Sequence, residues 1–152
     1  MSAEHSAREV ALGLLARREH SAFELRQKLR QRGYSEDVIA PLLEDLAARG
    51  WLSDLRFAEG FLRNRIDKGH GPLRIRADLA QKGVSPALID RVMESEAVDW
   101  IDVARTRIRK RFKAGPVDAR ERARRYRHLH AQGFPADIAR QVSAMTIDND
   151  DD

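Results

Sequence analysis

The sequence contains no cysteine among its 152 residues, and this absence excludes several kinds of site at once. A chain without thiols has no disulfide, no thiolate nucleophile and no zinc site built on cysteine. Aromatic residues are scarce, at 6% of the chain, and the charged fraction of 34% indicates much solvated surface and a modest core. No apolar run approaches the roughly 20 residues that a membrane-spanning helix needs, and no signal-peptide pattern follows Met1. We therefore expect a soluble, cytoplasmic protein.

Charge of one sign is also not in large excess. The chain has 28 Lys and Arg against 24 Asp and Glu, which gives a net charge of +4. A balance this mild does not by itself establish nucleic-acid binding. The distribution of the basic residues along the chain therefore matters more than their total.

The most prominent pattern that is present is a stretch that occurs three times, fifty residues apart, around Gly33, Gly83 and Gly133. Each glycine has a leucine four residues before it and an apolar residue directly after it. These residues are Leu29, Leu79 and Leu129, then Tyr34, Val84 and Phe134. A fixed period of this length is typical of repeat proteins.

The physics of the repeat favours two helices joined at a glycine corner. Glycine accepts the positive φ that follows the last turn of many helices. Ser35, Ser85 and Pro135 then stand where the next helix begins, a position that serine and proline favour. Because a helix pair cannot bury both apolar faces alone, each pair is expected to recruit a third helix and its neighbouring repeat.

Apolar residues at helical spacing predict nine helices along the chain. Their approximate ranges are 7–19, 21–32, 35–48, 54–68, 72–82, 85–95, 97–113, 117–132 and 135–145. The clearest start is Ser21 with Glu24, the pattern of a capping box, and Phe23, Leu25 and Leu29 are expected to face inward. No stretch alternates for long enough to predict a strand. The fold class is therefore all-α, in three tandem three-helix repeats.

The predicted domain boundaries follow from this grouping. The three repeats are assigned to residues 1–52, 53–96 and 97–146. A short acidic tail at residues 147–152 is expected to be disordered.

Catalysis has little support in the sequence. The five histidines are scattered at His5, His20, His70, His128 and His130, and we expect them to be solvated or in loops. The last two are two residues apart on a helix and do not share a face, so they do not form a metal site. The acidic pairs lie beside capping positions, which explains them without a catalytic role. The Gly-His-Gly segment at 69–71 does not follow a predicted strand, whereas a phosphate-binding glycine loop does. We therefore expect no enzyme activity, no cofactor and no metal.

The basic residues are more informative, because they are densest between Arg105 and Arg127, where only Asp118 and Glu121 oppose them. Such a block can bind phosphates or an acidic protein surface, although a solvated helix face is the simpler explanation for any single arginine. Clustering and helical spacing predict partner-binding residues on the basic faces of the second and third repeats. The predicted residues are Arg74, Arg76, Lys82, Arg105, Arg109, Lys113, Arg124, Arg125 and Arg127.

A helix, a glycine turn and a second helix are also found in proteins that read DNA sequence. The helices after the glycines begin with Glu36-Asp37, Ala87-Leu88 and Ala136-Asp137. These acidic or apolar starts are poorly suited to enter a DNA groove, so sequence-specific reading is not favoured.

The order and spacing of several short motifs resemble the RecX family, the bacterial regulators of the RecA recombinase. The resemblance covers roughly residues 8 to 145, and the chain departs from the pattern at Pro41 and in the tight link after the sixth helix. The matching segments are Ala11-Leu12 with Leu14-Leu15, Arg18-Glu-His-Ser21, Glu24-Leu25-x-x-Lys28-Leu29-x-x-x-Gly33, Leu52-Ser-Asp54-x-Arg56-Phe57-Ala58, Lys68-Gly-x-Gly-Pro72-x-x-Ile75-x-x-x-Leu79-x-x-Lys82-Gly83, and Arg124-Arg125-Tyr126-Arg127-x-Leu129-x-x-x-Gly133-Phe134.

The resemblance implies a regulator without chemistry of its own. It implies three-helix repeats in an elongated, curved arrangement, acting as a monomer in recombination, DNA repair and the SOS response. Such a protein binds the RecA filament on single-stranded DNA and restrains ATP hydrolysis, filament growth and strand exchange. The alternative is a nonspecific DNA-binding protein that acts through its arginine-rich face. The two differ in their salt response and in their need for recombinase.

Overall fold

The computed structural model describes residues 2–115 and 117–147, and these ranges form nine α-helices. The helices are α1 (Ala3–Arg17), α2 (Ala22–Gln31), α3 (Glu36–Ala48), α4 (Asp54–Asp67), α5 (Pro72–Gln81), α6 (Pro86–Ser95), α7 (Trp100–Arg111), α8 (Ala119–Ala131) and α9 (Ala136–Ser143). The only β pairing in the described ranges is an isolated antiparallel bridge between Gly115 and Ile147. The predicted all-helical repeat fold is confirmed, and the rest of the predicted tail, residues 148–152, lies outside the described residues.

Capping residues explain where the helices begin. The capping box at Ser21 is confirmed. The Ser21 hydroxyl accepts a hydrogen bond from the backbone N–H of Glu24, and the Glu24 carboxylate accepts one from the backbone N–H of Ser21. The first helix begins at residue 3 rather than 7, because Ser2 accepts a hydrogen bond from the N–H of residue 5 at 3.2 Å. The seventh begins at residue 100 rather than 97, because Ala97 has a φ of +47° and Asp99 supplies the cap. The eighth begins after its own cap, Asp118.

The three glycine corners share one hydrogen-bond pattern. Gly33, Gly83 and Gly133 have φ values of +91°, +79° and +96°. In each corner the glycine N–H donates to the carbonyl three residues back at 2.9–3.0 Å, and the next N–H donates to the leucine carbonyl at 3.1–3.2 Å. This is the Schellman motif, which satisfies two carbonyls at the end of a helix. The sequence therefore predicted each corner correctly, both in position and in backbone conformation.

The described residues belong to two compact units. The first is Met1–Phe61 with Leu79–Val92, and the second is Leu62–Asp78 with Met93–Asp152. The boundaries of these units fall within α4, α5 and α6, so they group the chain differently from the three repeats assigned above. The assigned repeat boundaries stay a prediction.

Each unit has its own apolar core. In the first unit α1, α2 and α3 pack on one another, and Pro41 lies inside α3 without ending it. In the second unit α9 packs against both α7 and α8. Core residues with at most 1% exposure include Leu25, Leu29, Ile39 and Leu46 in the first unit, and Ile108, Leu129, Phe134 and Val142 in the second. No helix in the described ranges is long and apolar enough to cross a membrane.

In the first unit, the start of α2 docks on the second glycine corner. The hydroxyl of Ser21 donates to the carbonyl of Lys82 at 2.6 Å, and Glu24 forms an ion pair with the Lys82 ammonium at 3.4 Å. Phe23 packs on Gly83, where a Cβ would lie 2.7 Å from the ring carbon Cγ. The prediction that Phe23 faces inward is wrong: it is 40% exposed because it covers the corner instead.

In the second unit, the start of α5 docks on the third corner in the same way. The N–H of Gly71 donates to the carbonyl of Gln132 at 2.7 Å, and the N–H of Leu73 donates to the carbonyl of Gly133 at 3.0 Å. A Cβ on Gly133 would lie 2.6 Å from the backbone nitrogen of Arg74. The backbones therefore approach too closely for any side chain at this corner.

Replacing Gly133 by alanine should destabilise the protein far more than replacing Gly33. Both glycines have positive φ, which costs an alanine about 1–2 kcal/mol, but nothing lies within 4 Å of a Cβ on Gly33. We expect the free energy of unfolding to fall by about 1 kcal/mol for Gly33→Ala and by at least about 3 kcal/mol for Gly133→Ala. Urea denaturation measures both free energies. Equal losses in the two variants would show that the backbone of α5 does not lie in close contact with the third corner.

Candidate functional site

A basic groove lies between the end of α7 and the start of α8 in the second unit. Its volume is about 720 Å³. Its described lining residues are Arg111, Phe112, Lys113, Ala114, Asp118, Arg120, Glu121, Arg124 and Arg125. The cationic side chains outnumber the two carboxylates, so the groove suits a negatively charged partner.

Arg125 forms the wall of this groove rather than its exposed face. Its Nε donates to Glu121 at 3.3 Å, its Nη2 donates to the carbonyl of Lys113 at 3.0 Å, and its guanidinium lies 5.5 Å from the centroid of the Phe112 ring. The side chain is only 2% exposed. The expectation that Arg125 lies on an exposed basic face is therefore wrong, because these contacts use it to hold α8 to the segment after α7.

The fifty-residue period contains a signal that identifies Arg125 as buried. The equivalent positions in the first two repeats are Leu25 and Ile75, and both are fully buried. Arg125 occupies the same core position of the third repeat. Helical spacing grouped it with its basic neighbours, whereas comparison of the three repeats would have placed it in the core.

Two other predicted residues, Lys113 and Arg124, lie in the groove with it. Arg124 is exposed, donates to Glu121 at 2.9 Å and has its guanidinium 5.6 Å from the centroid of the Phe112 ring. Lys113 is exposed, and its ammonium makes no ion pair within the described residues. The predicted partner-binding residues omit Arg111 and Arg120, which also line the groove. Helical spacing aligns Arg120 with Arg124, and Asp118 as a cap puts Arg120 in the first turn of α8, so the sequence carried a signal for it.

The remaining predicted residues of α7 and α8 do not line the groove. Arg105 and Arg109 border a much smaller cleft with Met145 and Ile147, and Arg109 donates to Thr106 at 3.2 Å. The predicted residue Arg127 borders another cleft of about 480 Å³ along with Tyr126, Arg140 and other residues. The predicted basic face of the third repeat is thus divided among several surfaces.

The predicted residues of the second repeat are not part of the groove either. Arg74 is exposed at the start of α5, where it donates to the side chain of Gln132 at 3.2 Å. Arg76 is partly buried on the same helix. Lys82 belongs to the first unit and pairs with Glu24. Arg74 and Lys82 therefore take part in the contacts at the glycine corners.

His128 lies beneath the basic surface and contributes no charge to it near neutral pH. Arg107 Nε donates to His128 Nε2 at 2.9 Å, so that nitrogen is unprotonated, and the ring meets Phe112 edge to face with centroids 5.5 Å apart. Burial, followed by the charges of Arg107 and Arg111, lowers the pKa of His128. The expectation of a solvated histidine is wrong here.

His20 is also buried, at 1% exposure, directly before the cap of α2. Its Nδ1 lies 3.1 Å from the carbonyl of Arg18, and its Nε2 lies 3.1 Å from the Lys28 ammonium. Because an ammonium only donates, Nε2 must accept and the ring is neutral with its proton on Nδ1. Burial is the largest cause that lowers the pKa of His20, and the neighbouring cations lower it further.

Within the described ranges, no group of three or more His, Cys, Asp or Glu side chains could hold a metal ion. The titratable groups whose pKa is shifted are explained by burial or by ion pairs, as Asp45 and Glu36 illustrate with their arginine partners.

Comparison with known proteins finds two family models that match consecutive parts of the chain. The model for "RecX, first three-helix domain" matches residues 7–46. The model for "RecX, second three-helix domain" matches residues 53–93. The two matches fall on α1 to α3 and on α4 to α6.

Named relatives extend the similarity over nearly the whole chain. The chain is 45% identical over 151 residues to the "Regulatory protein RecX" of Halorhodospira halophila, covering 99% of this chain and 94% of that protein. It is 43% identical over 144 residues to the protein of the same name from Pseudomonas putida KT2440, covering 93% and 92%.

Solved structures share the fold at much lower identity. "Crystal structure of RecX from Lactobacillus salivarius" superposes with a TM-score of 0.76 at 20% identity, covering 91% of this chain and 93% of that chain. "Crystal structure of regulatory protein RecX" gives a TM-score of 0.78 at 20% identity, covering 93% and 72%.

Removing the nearly fully buried guanidinium of Arg125 should cost about 3 kcal/mol of unfolding free energy, because Arg125→Ala leaves a cavity in the core and leaves the carbonyl of Lys113 and one oxygen of Glu121 without their donor. Arg124→Ala is the matched control, since Arg124 pairs with the same carboxylate from an exposed position, and it should cost less than about 0.5 kcal/mol. Chemical denaturation measures both. A loss for Arg125→Ala as small as that for Arg124→Ala would contradict its structural role.

Stability should fall as the pH drops below the ordinary histidine pKa of 6.5, because the unfolded chain then takes up protons that neutral, buried histidines such as His20 do not. Each such histidine contributes at most about 1.4 kcal/mol per pH unit. In His20→Gln the amide can keep both hydrogen bonds without titrating. The unfolding free energy of this variant should therefore fall less steeply than that of the parent between pH 6.5 and 5.5. Between pH 7 and 8 the two proteins should show the same dependence on pH, which serves as the internal control. Identical slopes below pH 6.5 would show that His20 takes up its proton in the folded state as readily as in the unfolded chain.

Proposed function

The chain belongs to the RecX family of regulatory proteins, and on that basis we propose that it binds the RecA recombinase filament on single-stranded DNA. In this proposal it inhibits the ATP hydrolysis of the filament, its extension and strand exchange. The protein acts as a cytoplasmic monomer in recombination and DNA repair, including the SOS response. It performs no reaction of its own.

The observation that carries the proposal is the excess of cationic side chains in the groove between α7 and α8. Glu121 is shared by Arg124 and Arg125, whereas Lys113 and Arg120 make no ion pair within the described ranges. Their charges are therefore available to an external partner. A nucleoprotein filament offers two partners of the right sign, namely phosphates and acidic protein surface.

The repeated construction supports binding to a filament in particular. A filament presents the same site again on each successive subunit, and a protein of several linked units can engage more than one of them. Weak contacts that are linked in this way add to a much stronger overall affinity. The proposal therefore does not need any single contact to be strong.

The alternative is a nonspecific DNA-binding protein whose groove holds phosphates directly. The observation that favours this alternative is that Lys113, Arg120 and Arg124 line the same groove, where their cationic groups could contact several phosphates. Binding to naked single-stranded DNA should then be strong and should weaken steeply with salt. A filament regulator should bind far better when recombinase coats the strand.

Reversing the charge of the groove should weaken inhibition of recombinase ATPase. We expect Lys113→Glu with Arg120→Glu to raise the half-inhibitory concentration by about tenfold, equivalent to about 1.4 kcal/mol, because two attractive contacts become repulsive. The matched control is Arg17→Glu with Arg91→Glu, which makes the same change in net charge at two exposed positions of the first unit and should change inhibition little.

ATPase assays on single-stranded DNA at two salt concentrations, beside binding to naked DNA, measure these effects. Inhibition by less protein than is needed to cover the DNA supports the filament regulator. Inhibition only at amounts that coat the DNA, lost in high salt, supports the alternative. Equal inhibition by the two double variants would remove the groove from the proposal.

A further inference from the structure

Two of the three glycine corners are covered by the start of a helix, and the two contacts share one acceptor position although their donors differ, a serine hydroxyl at one and a backbone N–H at the other. A hydrogen-bond donor from the helix start reaches the carbonyl just before the glycine, at Lys82 or Gln132. An apolar residue, Phe23 or Leu73, stands two positions after the residue that supplies this donor. At both corners, therefore, the carbonyl before the glycine is the acceptor on which the helix start docks.

The first corner has the same backbone but no such cover. Gly33 has a φ of +91°, and its N–H and that of Tyr34 make the same two hydrogen bonds as at the other corners. Among the described residues other than its two chain neighbours, none has an atom within 4 Å of a Cβ built on Gly33, and the carbonyls of Arg32 and Gly33 accept no hydrogen bond from the described residues. The acceptors that bind a helix start at the other corners are therefore exposed here.

The side chain beside this corner indicates what would complement it. Arg32 stands where Lys82 stands in the second repeat, one residue before the glycine. Lys82 pairs with Glu24, the third residue of the docked helix α2. A helix that docks on the first corner in the same register would place its third residue near Arg32, where an acidic residue fits.

We propose that the first glycine corner is a docking site for the start of a helix in a partner protein. The matching start has a serine or threonine cap, an apolar residue at the second helical position and a glutamate at the third. The cap hydroxyl donates to the carbonyl of Arg32, the apolar side chain covers Gly33, and the glutamate pairs with the Arg32 guanidinium.

The occupant is a different protein rather than a second copy of this chain. The start of α2 has the required residues but already covers the second corner. The start of α8 has Arg120 at the second position, and that of α1 has Glu4 there, so neither supplies the apolar contact. The start of α4 has Arg56 at the third position, which would repel Arg32, and that of α6 has Leu88 there, which cannot pair with it. The start of α7 has Ile101 and Asp102 at these two positions, but its cap is Asp99, whose carboxylate accepts hydrogen bonds and cannot donate one to the carbonyl of Arg32.

A pair of glycine-to-asparagine variants tests this surface. Asparagine tolerates positive φ better than other side chains, so Gly33→Asn keeps the corner while placing a side chain on the docking position. Gly50→Asn is the matched control, because Gly50 also follows a helix, has a φ of +75° and has nothing within 4 Å of a Cβ. Both variants should unfold with similar free energies.

The first arm rests on the proposed function and uses the recombinase filament on single-stranded DNA as the probe. Affinity for the filament should fall by about fivefold in Gly33→Asn, the loss expected for one hydrogen bond and its contact, and should be unchanged in Gly50→Asn. If the parent protein does not bind the filament at all, the proposed function fails, and the second arm decides the docking site alone.

The second arm is independent of recombinase. A synthetic peptide of residues 19–32, which contains the start of α2, is titrated to millimolar concentration into the ¹⁵N-labelled protein. We expect saturable shifts of the Arg32, Gly33 and Tyr34 amides, no shifts at Gly83 or Gly133, and loss of the effect in Gly33→Asn. Peptide shifts without a filament effect would support the docking site and exclude the filament as its partner. Absence of both effects would overturn the inference.

Discussion

One hydrogen bond, made three times, sets the geometry on which the rest of the fold depends. It joins the N–H after each corner glycine to the leucine carbonyl at the end of the preceding helix. The bond reverses the chain within a single residue, buries the leucine and turns the carbonyls beside the glycine outward. Those carbonyls form the surface on which the starts of α2 and α5 dock. The same constraint thus produces both the helix pair and its contact with the neighbouring repeat.

The sequence predicts these corners well because every determinant is local. Leucine, glycine and the next apolar residue lie within six positions of one another, and the cap at Ser21 needs only Glu24. The docking contacts could not be predicted in this way, because Ser21 and its acceptor Lys82 are far apart in sequence and Phe23 looks like any core residue. The burial of Arg125 was missed for another reason, since charge alone suggested exposure.

The positions of the carboxylates decide where the positive charge of the chain is available. In the first unit Asp45 and Glu36 each bind two arginines, so much of its cationic surface is neutralised locally. In the second unit Glu121 likewise binds two arginines, but Lys113 and Arg120 in the same groove are left with no ion pair within the described ranges. The small net charge of the whole chain therefore conceals a locally basic surface in this groove.

The contact between the start of α5 and the third corner is made largely by main-chain atoms. Gly71 and Leu73 donate through their backbone N–H groups, and the acceptors are the backbone carbonyls of Gln132 and Gly133. An interface of this kind places few demands on side-chain identity beyond the two glycines. Surface side chains around it can therefore change without loss of register between α5 and the third corner.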